Sequence, residues 1–330
     1  MNRILYYSII AFAALSLSAC NNEEYHIPQA ESNIMLSANI SATSATRSTA
    51  NAYTSTSADG MTAAVWFSME CGKYPYNANP VEPTYIPHHT TVTYSDESPT
   101  PVYVNPETKQ PPLAYPITGD ALNVYCVGFY PSTSWSVTAD GSKASHSIDG
   151  STDIMFADQI AGTWDKPFAA QRYKHLLTWI KLEASASQIE APTQWGNIKK
   201  IEIVNSHSQV NIAFAGQTGT ASTASYSGDE NTITLFEGDT PISTVVSDMG
   251  SCLCTPAPTI KLAVTTERMG RKEVEVTLKD KNQQPLTSYT QAIGKEFIIS
   301  LYFSALEDID GACNLVPWNE QNMDLIGEAN

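Results

Sequence analysis

Between Ile34 and Ala42 the chain alternates. Ile34, Leu36, Ala38, Ile40 and Ala42 fall on one side, and Met35, Ser37, Asn39 and Ser41 on the other. A period of two predicts a β-strand with one buried face. Burying Ile34, Leu36 and Ile40 would contribute about 1.5–3 kcal/mol each, on the order of 5–9 kcal/mol together. That is comparable with the whole stability of a typical domain, about 5–15 kcal/mol.

The same reading places strands along the rest of the chain. Thr62 to Met69 is a buried-strand run, and Leu122 to Tyr130 is a core strand ended by Pro131. Asp153 to Ala157 follows a Gly/Ser/Asp turn, and Tyr173 to Glu183 reads as one long strand. Ile201 and Ile203 alternate with Lys200 and Glu202, while Ile198 is out of phase, so that strand is expected to start after it. Val274, Val276 and Leu278 alternate cleanly with Glu273, Glu275 and Thr277. Val210–Phe214, Thr232–Phe236, Ile260–Thr265 and Glu296–Phe303 complete the set, with Gly228-Asp229 and Gly238-Asp239 read as turns between strands. Pro-rich turns run from Pro75 to Pro116 with Tyr-containing strands between them, and the first half holds no amphipathic helix of useful length. Short strands at this spacing predict an all-β protein with two β domains of sandwich type in tandem. The expected divisions are 48–160 and 161–330.

Composition agrees with this. The chain has 330 residues, enough for two domains, 42% apolar content and only 16% charged residues. Its net charge of −16 argues against nucleic acid as a partner, because phosphate binding needs clustered Lys and Arg.

Residues 1–19 read as an export signal, with Arg3 in a positive n-region and an apolar run from Leu5 to Leu17 too short for an ordinary membrane span. Leu17-Ser18-Ala19-Cys20 resembles the lipobox of bacterial lipoproteins, which implies cleavage before Cys20 and a diacylglyceryl anchor on its sulfur. An ordinary signal with an incidental Cys is the plain alternative. Asn21-Asn22-Glu23-Glu24 resembles the surface-export signal of some Gram-negative lipoproteins. Arg47 stands alone in a small, polar stretch from Ser41 to Ala50, followed by Ser48. This composition suits an exposed, protease-accessible loop, although Arg47 also reads simply as a solvated residue. A cut after Arg47 that released the preceding strand would open an apolar groove, which a strand from another chain could refill.

Nothing points to catalysis, a metal or a cofactor. Gly-x-Ser-x-Gly, His-Glu-x-x-His and a phosphate-binding Gly-rich loop are absent from the sequence. His88 and His89 would face opposite sides of a strand, and Asp308-Ile309-Asp310-Gly311 lacks the terminal Glu of a calcium loop. After Cys20, five cysteines remain (Cys71, Cys126, Cys252, Cys254 and Cys313), an odd number that cannot all pair within one chain. Cys252 and Cys254 share a strand face at the edge of disulfide reach, and Cys126 reads as core.

Taken in order, the motifs resemble a family. The lipobox, the N-terminal strand and Thr46-Arg47-Ser48 are followed by Val124-Tyr125-Cys126-Val127-Gly128-Phe129-Tyr130-Pro131 and Asp153-Ile154-Met155-Phe156-Ala157. Tyr173–Leu177, Gly294-Lys295-Glu296-Phe297-Ile298-Ile299 and Pro317-Trp318 come after them. This order is similar to that of the fimbrillins, the FimA/Mfa-like lipoproteins of type V pili. The resemblance implies two β-sandwich domains of Greek-key, transthyretin-like type in a surface-exported outer-membrane lipoprotein tethered at Cys20, cut between Arg47 and Ser48, that loses its first strand and polymerises with other pilus subunits by strand exchange. It also implies a C-terminal donor segment, here 314–326, with Leu315, Val316, Trp318, Met323 and Leu325 as candidate residues. Stalk, anchor and tip subunits share this architecture, and surface receptors on host or bacterial cells are the implied adhesion targets. The alternative is a monomeric surface lipoprotein that binds glycan on an exposed platform of Trp135 and Trp164.

Overall fold

The computed structural model describes residues 32–41, 57–76, 86, 88–95, 99–117, 122–217 and 219–316. Strands dominate, as the alternating patterns require. In chain order the first set is β1 (Met35–Leu36), β2 (Ala38–Ile40), β3 (Thr62–Ser68), β4 (His88–Thr93), β5 (Thr100–Pro101), β6 (Val124–Tyr130), β7 (Ser136–Val137) and β8 (Lys143–Ser147). There follow β9 (Met155–Gly162), β10 (Gln171–His175), β11 (Thr178–Ala186), the single-turn helix α1 (Ala191–Trp195), β12 (Asn197–Ala213) and β13 (Thr223–Pro241). The last are β14 (Ser247–Cys254), β15 (Thr259–Thr266), β16 (Gly270–Thr277), β17 (Glu296–Phe303) and β18 (Ile309–Val316).

The first sheet runs β2-β10-β9-β6-β3-β4, and β1 pairs with β5 beside it. Two further sheets, β14-β11-β17-β18 and β16-β15-β12-β8-β7 with β13 also on β12, enclose the larger core. The first sheet is apolar on both faces. Along β3, Ala63, Val65 and Phe67 enter a smaller core with Ile34, Leu36 and Ile40, whereas Ala64 and Trp66 enter the larger one. This explains why Thr62–Ser68 is a continuous apolar run rather than an alternating one. The architecture is all-β and sandwich-type.

Several boundaries differ from those the sequence predicts. Ile34–Ala42 is not one strand: β1 and β2 flank Ser37 and join different sheets, and Ala42 lies outside the described residues. Tyr173–Glu183 is split at Leu176–Leu177, with β10 in the first sheet and β11 in the second. β12 starts before Ile198, because a bulge at Lys199 restores the phase: Ile198 pairs with Thr266 and Lys200 with Thr265. Ile198, Ile201 and Ile203 are all buried as a result. Gly228-Asp229 and Gly238-Asp239 lie within β13 at its register shifts against β12 rather than between strands. A division at 160/161 falls inside β9. Strand pairing also crosses it in both directions, since β10 belongs to the first sheet and β8 pairs with β12.

Candidate functional site: a strand-filled groove in the first sheet

The segment 32–41 fills a groove in the smaller core. Ile34 and Leu36 are 0% exposed and Ile40 4%, packed in one core with Val65, Phe67, Val102, Leu113, Met155 and Tyr173. The alternation therefore translates directly into burial. Ala38 is partly buried against the same core, and Met35 points out.

The backbone of this segment changes partners midway. Its first half runs against the chain around 100–115: the Ile34 N–H donates to the Leu113 carbonyl at 2.7 Å, the Val102 N–H donates to the Ile34 carbonyl at 3.0 Å, and the Tyr115 N–H reaches Ser32 at 2.8 Å. Met35 and Leu36 pair antiparallel with Pro101 and Thr100. At Ser37 the carbonyl accepts from the Gln171 N–H at 2.8 Å, and the chain continues as β2, parallel to β10 with Ala38, Asn39 and Ile40 opposite Gln171, Arg172 and Tyr173. The Ser41 N–H closes the pairing on the Tyr173 carbonyl at 2.7 Å. Ser37 breaks the strand because its two halves satisfy different sheets.

The groove floor carries a buried polar network. The Tyr94 hydroxyl donates to Gln171 Oε1 at 2.6 Å and lies 3.0 Å from the Tyr173 hydroxyl, and Gln171 Nε2 donates to Cys126 Sγ at 3.4 Å. Burial raises the pKa of both tyrosines and of the Cys126 thiol, so all three stay neutral. Gly128 makes room for the network: a Cβ there would come within 2.1 Å of the Tyr173 hydroxyl. Pairing of β9 with β10 also brings two sequence motifs together, with His175 Nδ1 2.8 Å from Asp153 Oδ2 in a buried hydrogen bond.

The other predicted residues fall as follows. Cys20, Arg47, Ser48, Trp318, Met323 and Leu325 lie outside the described residues. Leu315 and Val316 are already engaged in β18, opposite Phe297 and Glu296 of β17, so a donor segment cannot begin at 314 without breaking that edge. Cys71, Cys126, Cys252, Cys254 and Cys313 are all free thiols. Burial pushes Cys254 up to about 12 and raises Cys252 and Cys313 as well, which makes these thiols unreactive. Trp135 and Trp164 form no common platform, since Trp135 packs on the larger core and Trp164 on the smaller.

Sequence reasoning expected Tyr-containing strands in the stretch from Pro75 to Pro116 but did not single out the residues that form the opposite wall of the groove. Val102, Leu113 and Tyr115 sit in this Pro-rich stretch, and only the short alternation of Val102 with Val104 signals a strand-like face.

No protein-family model matches the chain, and no curated protein matches its sequence. The chain is similar to several solved structures. A candidate cell adhesion protein from Bacteroides uniformis aligns at a TM-score of 0.46 and 14% identity, over 87% of this chain and 99% of that one. A fimbrial protein from Bacteroides vulgatus aligns at 0.42 and 9%, over 87% and 100%. The fimbrial anchor protein Mfa2 from Porphyromonas gingivalis aligns at 0.44 and 9%, over 87% and 98%. In the order of its sequence motifs, carried on an all-β chain, this protein resembles the fimbrillins.

Proposed function

We propose that this protein is a structural subunit of a cell-surface type V pilus that supports adhesion. In this reading it is exported as an outer-membrane lipoprotein on Cys20, cut between Arg47 and Ser48, and joined to other subunits by donor-strand exchange. The observation that carries the reading is the burial of Ile34, Leu36 and Ile40 in a groove whose remaining walls come from residues beyond 57. A segment of ten residues completes a core that the other described residues leave open, and it precedes the candidate cut site by a few residues. The incoming strand would run parallel to the vacated edge of β10 in the place of Ala38–Ile40 and antiparallel to β5 in the place of Met35–Leu36, with large apolar residues where Ile34, Leu36 and Ile40 now lie.

A second reading, a subunit that receives a strand but gives none, as an anchor would, is favoured by the C-terminal edge. Leu315 and Val316 are paired with Phe297 and Glu296, so donating them to a neighbour would break the edge they already complete.

The test is the N-terminal sequence and intact mass of the protein recovered from the cell surface. A start at Ser48 without lipid is expected for a polymer-competent subunit. A lipidated start at Cys20 would overturn maturation at Arg47 and favour the anchor reading.

A further inference from the structure

On the opposite face of β3 from the strand-filled groove lies a second concavity. It opens between β4, the edge strand of the first sheet, and the loop that leads into β7, with a volume of about 500 Å³. Its walls are aromatic: Trp66, Tyr76, His89 and Trp135 line it. The rings are held in place. Trp66 and His89 stack with centroids 4.3 Å apart and planes 6° from parallel. His89 Nε2 lies 3.0 Å from the Tyr74 carbonyl, and burial holds its pKa down to about 4, so the ring is uncharged near neutral pH. Trp135 leans on Phe129 at 4.6 Å, and its Nε1–H donates to the Pro131 carbonyl at 2.9 Å. Tyr76 differs from the others. Its ring sits 5.4 Å from that of His89, yet 65% of the residue is exposed.

The rim is hydroxylic, with Thr91 and Ser134 among its residues, and among the described residues no Asp, Glu, Lys or Arg lines the cavity. In a chain with a net charge of −16, a recess whose described lining carries no charge suits a neutral ligand. Rigid ring faces accept flat apolar surfaces, and serine and threonine hydroxyls both donate and accept hydrogen bonds. One class of ligand offers an apolar C–H face together with many hydroxyls and no charge. We propose that this groove binds a neutral sugar residue, its C–H face against Tyr76 and Trp135 and its hydroxyls toward the Thr/Ser rim. The volume falls in the range of small-ligand sites, about 300–1,000 Å³. The groove uses Ala64 and Trp66 of β3, whereas the segment 32–41 packs over Ala63, Val65 and Phe67, so the two sites lie on opposite faces of one strand.

The test uses the full chain and saturation-transfer NMR. The probes are methyl β-glycosides of glucose, galactose, mannose and N-acetylglucosamine with their β-linked disaccharides, and 3′-sialyllactose is the acidic comparator. At least one neutral sugar is expected to saturate in the millimolar range and to quench tryptophan fluorescence. Tyr76→Ala, at an exposed position that does not endanger the fold, is expected to weaken binding about tenfold. The proposal is overturned if no neutral sugar saturates, if only the acidic sugar does, or if Tyr76→Ala binds as tightly as the parent.

Discussion

Gly128 shows how little room the smaller core leaves. Tyr173 is fully buried against it, and its hydroxyl occupies the space a Cβ would need. Gly128→Ala should therefore cost about 1–3 kcal/mol by overpacking, read as a lower urea midpoint. His89 gives a pH dependence whose sign is fixed. Burial disfavours its protonated form and lowers its pKa from 6.5 to about 4, so between these values the unfolded chain binds a proton that the folded chain does not. Its contribution to stability is present above pH 6.5 and is lost as the pH falls toward 4. His88, on the same strand, is shifted in the same direction by burial. His89→Phe, which keeps an aromatic ring on Trp66, is expected to flatten the fall in stability between pH 6.5 and 4 in urea titrations at stepped pH. An unchanged slope would assign the fall to other groups.

At the level of elements, the first strand is the sharpest case. Leu36→Asp would place a carboxylate where Leu36 is fully buried, a change expected to cost more than about 4 kcal/mol and to open the smaller core, seen by circular dichroism as an early unfolding step that precedes the transition of the larger core. Ser37→Ala, where the backbone carbonyl alone makes the contact with Gln171, should stay within about 0.5 kcal/mol of the parent. A precursor that remains fully folded and soluble with Leu36→Asp would sink the idea of an exchangeable apolar strand. The alternation that marks this strand was legible in the chain, and so was β17, whose predicted limits Glu296 and Phe303 are those observed. What was not legible has a common cause. The bulge at Lys199 hides the continuity of β12, and those opposite Gly228 and Gly238 hide that of β13, because an extra residue shifts the apolar phase and brings in turn-like glycines. The splits at Ser37 and at Leu176–Leu177 are changes of sheet, which no local pattern records.

At the scale of the molecule, one sheet serves two cores. Its face toward Trp66 and Phe129 is continuous with the larger core, and its face toward Phe67 and Tyr173 is closed by the segment 32–41. Removing that segment should therefore open the smaller core and leave the larger one enclosed. This division was beyond sequence reasoning, since β7–β8 and β10 cross the boundary that chain order suggests. The most direct measurement compares urea unfolding of the full chain with that of a chain beginning at Ser48, with and without a synthetic peptide of residues 32–42. The shortened chain is expected to lose on the order of 5–9 kcal/mol in a separate, early transition, and the peptide to restore it. An unfolding curve identical to that of the full chain, indifferent to the peptide, would contradict an exchangeable strand at the centre of this protein's function.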